Sequence, residues 1–294
     1  RLDGVTGVQT CALPISRSGG EYVYLREGFG PLAAFLTGWT SFVAGFAGAM
    51  AAGALGAADY LGRFLPVASD ATPLLTIPIP WVPLTFSPRT IVALTAIVGL
   101  ALIHIRGLGP GRLVQNALAI LKVGALATFV AVGLGIGRGS FENLTTAPEG
   151  VTTNLALAFI VVMFSYSGWN AASYVAEEIR DPGRNVPIAL ALGTGAVVLL
   201  YLGLNLLYLF AVPIQEIGAQ AQSEVAMVAA DRALGPSAAR LLGGLAVVVL
   251  IGSLSAMTVA GPRVYFAMAR DRAFFPVMAR VHPRFHTPWV AIAA

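Results

Sequence analysis

Long apolar stretches separated by short polar punctuation set the pattern of this chain. No charged residue falls between Glu27 and Asp59, Glu149 and Glu177, Arg184 and Glu216, or Arg240 and Arg263. Each gap holds at least about 20 residues, the length a helix needs to cross the hydrocarbon core of a bilayer. Two further apolar runs, near 90–105 and 113–137, carry an ionisable group only at His104 and Lys122. The pattern predicts six membrane-spanning helices, over about 32–61, 89–105, 113–137, 152–178, 187–211 and 238–268. The final residues, from Pro288, read as the opening of a seventh. Six prolines (66, 73, 78, 80, 83 and 88) make 62–88 a loop, and the glycine-rich 106–112 reads as a turn. Residues 17–31 form a polar connector with a short amphipathic piece. The mixed stretch 213–237, with Glu216, Glu224, Asp231 and Arg232, reads as a loop with an amphipathic helix on the membrane surface.

Composition agrees. Hydrophobic residues make up 57% and charged residues 11% of the 294 residues. A soluble domain carries about 25% charged residues, so this chain could not cover a water-facing surface of its size. Lipid is the solvent that the composition fits, and the fold class expected is an all-α integral membrane protein. The net charge of +4 does not imply nucleic acid. A single cysteine, Cys11, rules out a disulfide framework.

The arginines are distributed unevenly. Six spans place the connectors 17–31, 106–112, 179–186 and 263–286 on one side, with eleven arginines: 17, 26, 106, 112, 180, 184, 263, 270, 272, 280 and 284. The opposite loops hold five: 63, 89, 138, 232 and 240. Basic residues favour the cytoplasmic side, so the first group is expected there. Residues 1–16, RLDGVTGVQTCALPIS, lack a starting Met and a signal-peptide pattern. They resemble translated adapter sequence and are expected to be a non-native leader, with 17–294 as the membrane domain of a longer protein.

The predicted span 152–178 holds small and polar residues at its centre: Phe164, Ser165, Tyr166, Ser167, Gly168, Trp169, Asn170. Ser and Gly there weaken the helix and free backbone groups, which must find partners in protein, water or ligand. Two readings stay open: a broken helix that binds a solute near the midplane, or a continuous helix whose polar groups bind a neighbouring helix. Lys122, the only lysine, lies about 15 Å along its helix from the nearer end. A charge at that depth is costly and usually functional; the bland alternative is snorkelling to the interface. Ser253, Ser255 and Thr258 could line an ion site or simply pack. His104 reads as interfacial and Asp59 as solvated. No metal-ligand spacing, phosphate loop or nucleophile elbow is present, so neither an enzyme, a metal site nor a cofactor is expected.

Several of these residues together resemble the amino acid permeases of the amino acid–polyamine–organocation superfamily. The match rests on Ser18-Gly19-Gly20-Glu21-Tyr22 through Glu27, on Phe29-Gly30-Pro31 and Gly38-Trp39, and on Phe164 to Asn170. Glu177-Glu178-Ile179-Arg180-Asp181-Pro182 and Gly261-Pro262-Arg263-Val264-Tyr265 continue it in order. The resemblance implies a leucine-transporter-like bundle of inverted repeats, present here as the third to eighth family helices and the start of the ninth. It implies secondary transport of amino acids across the plasma membrane by alternating access, with protons as a candidate coupling ion. Phe164 to Gly168 would contact the substrate, Phe164 as a gate, with Trp169 and Asn170 flanking. Ser167, where some relatives carry Gly, would narrow the pocket. Lys122 would stand where other members hold a sodium ion, with Ser253 and Ser255 near it. A polyamine carrier, or a channel or sensor of the same fold, is the alternative; a polyamine site would want acidic residues, and this span has none before Glu177.

Overall fold

The computed structural model describes residues 17–80, 83–145, 154–219 and 225–294. Residues 1–16 lie outside them, as do parts of the loops near 150 and 222. Helix α1 (Glu21–Phe29) leads into α2 (Pro31–Gly62), a 32-residue span whose middle turn, Ser41–Phe46, widens to a π-helix. A two-stranded hairpin follows, β1 (Leu75–Ile77) and β2 (Leu84–Phe86). The sequence predicts only a loop here, because prolines flank strands of three residues each.

Helix α3 (Pro88–Ile105) begins with a capping box, in which Ser87 and Thr90 each satisfy the other's backbone N–H. Helix α4 (Leu108–Ile136) starts within the predicted 106–112 turn, which contracts to Arg106-Gly107. The span predicted over 152–178 is broken. Helix α5 (Leu155–Ser165) is too short to cross hydrocarbon alone, and the chain resumes in α6 (Ala171–Tyr174) after a non-helical turn. Helix α7 (Pro182–Ala211) is followed by α8 (Ile214–Ala219) and α9 (Val225–Leu234). The buried face of α9 (Met227, Ala229, Ala230, Ala233) packs on protein, against α10 and α7, as well as lying along the bundle. Helix α10 (Pro236–Arg270) runs for 35 residues, and α11 (Trp289–Ala293) closes the described chain. Because α10 continues to Arg270, Arg263 and Arg270 belong to a helix and not to the predicted 263–286 connector.

Five helices are long and apolar enough to span a membrane: α2, α3, α4 from Leu113, α7 and α10. Many of their large apolar side chains point outward, among them Leu113, Ile120, Leu192 and Leu199. That is the surface lipid requires and water would not tolerate. Helix α10 is the central element. It packs against α2, α3, α4 and α9. At its arginine-rich end, Tyr265 and Met268 join Phe42, Phe46, Phe274 and Tyr174 in a core of edge-to-face rings, with Phe42 and Tyr265 centroids 4.9 Å apart.

Candidate functional site

The break between α5 and α6 is built from local chemistry. The Ser165 hydroxyl donates to the Val161 carbonyl at 2.9 Å, a back-bond that competes with the helical ladder. Gly168 then adopts φ +83°, a left-handed conformation that side chains other than Gly and Asn resist. Between them the hydrogen bonds shorten to turn type, Ser167 N–H to Phe164 O and Trp169 N–H to Tyr166 O. The Tyr201 hydroxyl of α7 donates to the freed Ser165 carbonyl at 3.0 Å, and its ring meets Tyr166 edge-on at 5.3 Å. A polar, irregular backbone segment thus lies against the long apolar helix α7.

The seven residues from Phe164 to Asn170 do not share one environment. Phe164, Ser165, Ser167, Gly168 and Trp169 are exposed, Tyr166 is half-buried, and Asn170 is buried. Trp169 lies at the edge of an open apolar groove along α7, with Leu190, Thr194 and Val198. Asn170 turns the other way, and its amide donates to the Glu21 carboxylate of α1 at 2.8 Å.

Lys122 is half-buried on α4 and faces α10 at Gly252. A Cβ built on Gly252 would stand 3.9 Å from its Nζ. Among the described residues, its ammonium has neither a hydrogen bond nor an ion pair. Ser253 and Ser255 follow on α10, but both hydroxyls are occupied. Ser253 donates to the Val249 carbonyl at 3.1 Å, and Ser255 lies 2.9 Å from Nε2 of His104. Among the described residues, no hydrogen bond or ion pair joins Lys122 to the break. His104 sits near the end of α3, as the sequence suggests, but against protein. It is buried, and the 282–289 segment covers its helix end, where the Thr287 hydroxyl donates to the Ile105 carbonyl.

Sequence reasoning missed an ionic clamp at the far side of the break. Arg263, 4% exposed, donates through Nε and Nη2 to Glu178 at 3.1 and 2.8 Å, and through Nη1 to the Val259 carbonyl. Arg270 pairs with Glu177 at 3.2 Å. Asp271 binds Arg26, lies 3.7 Å from Arg17, and accepts from the Tyr22 hydroxyl at 3.2 Å. Burial, then the Asp271 charge and its hydrogen bond, push the Tyr22 phenol up to about 12. The segment after the break is thereby tied to α10, and α10 in turn to the first connector. The acidic pair Glu177-Glu178 and the later arginines were the visible signal. Their pairing needed the fold.

A bundle of long apolar helices with one interrupted helix defines a multi-pass integral membrane protein. The model of the amino acid permease family matches residues 9–294, and the chain belongs to that family. It is 27% identical to the b(0,+)-type amino acid transporter 1 of Mus musculus, over 95% of this chain and 55% of the relative. It is 28% identical to the serine/threonine exchanger SteT of Bacillus subtilis, over 99% of this chain and 63% of the relative. The large neutral amino acids transporter small subunit 2 of Mus musculus is 28% identical over 95% and 51%. The chain thus spans between half and two thirds of the length of these relatives.

Proposed function

We propose that this chain forms part of a secondary amino acid carrier of the plasma membrane. The carrier works by alternating access, with the arginine-rich connectors on the cytoplasmic side. The observation that carries this reading is the break at Ser165–Asn170, which supplies backbone N–H and C=O groups to a zwitterion inside the membrane. In this reading Phe164 to Gly168 meet the substrate and Trp169 flanks it. The carriers and exchangers among its relatives support amino acids as the substrate class. Absence of acidic residues from 155 to 176 disfavours a polycation.

Lys122 is the coupling residue in this proposal. An ammonium without a partner, held against the glycine of a neighbouring helix, can exchange its proton or stand in for a bound cation. Ser253, one position from Gly252, lies beside it along α10, and Ser255 acts through His104. The test is uptake of radiolabelled neutral amino acids into proteoliposomes holding the full-length protein, with and without an inward proton gradient. Saturable uptake that Lys122→Ala uncouples from the gradient is expected. Conductance without saturable exchange would point to a channel, and absence of any flux would overturn the carrier reading.

A further inference from the structure

The hairpin between α2 and α3 has an apolar face that the described chain leaves largely open, with Phe86 half-buried at its edge. Its register pairs Leu75 with Phe86, Thr76 with Thr85 and Ile77 with Leu84. Successive side chains of a strand alternate between faces. Leu75, Ile77, Leu84 and Phe86 therefore share one face, and Thr76 and Thr85 the other. Leu75 is 56%, Leu84 46% and Ile77 42% exposed. A lone two-stranded hairpin is marginal in water, and exposed strands there normally carry charges that discourage sticking. The run 71–88 carries none.

Its anchorage says what covers this face. The Leu74 N–H donates to Phe86 O at 2.8 Å, and the Arg89 N–H donates to Asp70 O at 3.0 Å, closing the loop onto the first turn of α3. Strand β2 ends two residues before Pro88, where the span begins. The uncovered apolar surface continues on both sides, through Leu65 and Val67 beyond α2 and through Ile91, Leu94 and Val98 down α3. The hairpin is thus continuous with the lipid-facing surface of the spans. A protein interface would ring an apolar centre with a polar rim, whereas the boundary of a bilayer needs no charge and accommodates aromatic rings such as that of Phe86.

We infer that this hairpin is an interfacial anchor. Its Leu75/Ile77/Leu84/Phe86 face rests in the headgroup–acyl boundary, on the membrane side opposite the arginine-rich connectors, and its threonine face meets water. The test places single spin labels at Ile77→Cys, Leu84→Cys, Thr76→Cys and Thr85→Cys in a Cys11→Ser background. The protein is held in nanodiscs of phosphatidylcholine and phosphatidylglycerol. Collision with oxygen, which partitions into lipid, is compared with collision with a water-soluble nickel chelate. Labels at 77 and 84 are expected to favour oxygen severalfold more than labels at 76 and 85, and Leu75→Cys replaces Ile77→Cys if that variant does not elute as a single species. Equal nickel access at all four positions would place the hairpin in water and overturn the proposal. Protection of 77 and 84 from both reagents would do so too, by assigning the face to a protein partner or a second copy.

Discussion

Single residues show how closely this fold is specified on its arginine-rich side. Gly20 has φ +53°, and a Cβ there would stand 2.5 Å from the Tyr174 ring. Neither the backbone nor an edge-packed aromatic can yield, so Gly20→Ala is expected to cost about 2 kcal/mol, read as a lowered midpoint in thermal unfolding in detergent. Gly168 differs, since its φ is +83° but no atom lies within 4 Å of its missing Cβ. There Gly168→Ala should cost only the backbone term, about 1 kcal/mol, with Gly168→Asn closer to wild type. Tyr22 gives a pH signature. Its phenol is raised from the usual value near 10 to about 12, so the folded state holds the proton more tightly. The stability this contributes is complete below pH 10 and is lost as pH rises through about 12. Tyr22→Phe should remove that part of the alkaline destabilisation, measured by unfolding between pH 9 and pH 12.

Among elements, the informative comparison is between the spans that were legible in the sequence and the features that were not. The five spanning helices, α2, α3, α4, α7 and α10, stand out because each holds a long apolar run with few ionisable residues, a constraint written directly into composition. The break was one of two readings the sequence left open, since Ser165, Ser167 and Gly168 are poor helix residues in an otherwise apolar run but could also have bound a neighbouring helix. The hairpin was obscured by the prolines around it, although Leu-Thr-Ile and Leu-Thr-Phe do alternate. His104 looked interfacial because Arg106 and Gly107 follow it; its burial against Ser255 of α10 is a contact 151 residues distant in sequence. Arg263 looked like the start of a connector because Pro262 precedes it, yet α10 carries this proline inside the helix. The His104–Ser255 contact pins α3 to α10 at 2.9 Å. A double-mutant cycle with His104→Leu and Ser255→Ala is expected to give a coupling of about 1 kcal/mol in stability; additive effects would show that the two helices are held by packing alone.

The whole molecule is organised around α10, which packs against α2, α3, α4 and α9, also meets α1, α6 and α11, and receives the clamp from beyond the break. Removing Arg263 leaves Glu178 without its partner, and Arg263→Ala should cost about 3 kcal/mol, with Arg263→Lys recovering only part because it lacks the forked donors. Retained fold with altered uptake in Arg263→Lys would place the clamp in the transport cycle. The length of α10 has its own consequence for the bilayer. Thirty-five residues at about 1.5 Å each give a rod of roughly 52 Å, against a hydrocarbon slab of about 30 Å. Even inclined at about 40°, the rod would project roughly 40 Å along the membrane normal. Its ends therefore stand among the headgroups whatever the thickness of the host membrane. At one end Arg270 can stay hydrated and Arg263 paired with Glu178 while the apolar centre slides by a turn. Such a helix behaves as an axle longer than its bearing, tolerant of thin and thick membranes, and the shorter α3 (18 residues) is the element that mismatch would strain first.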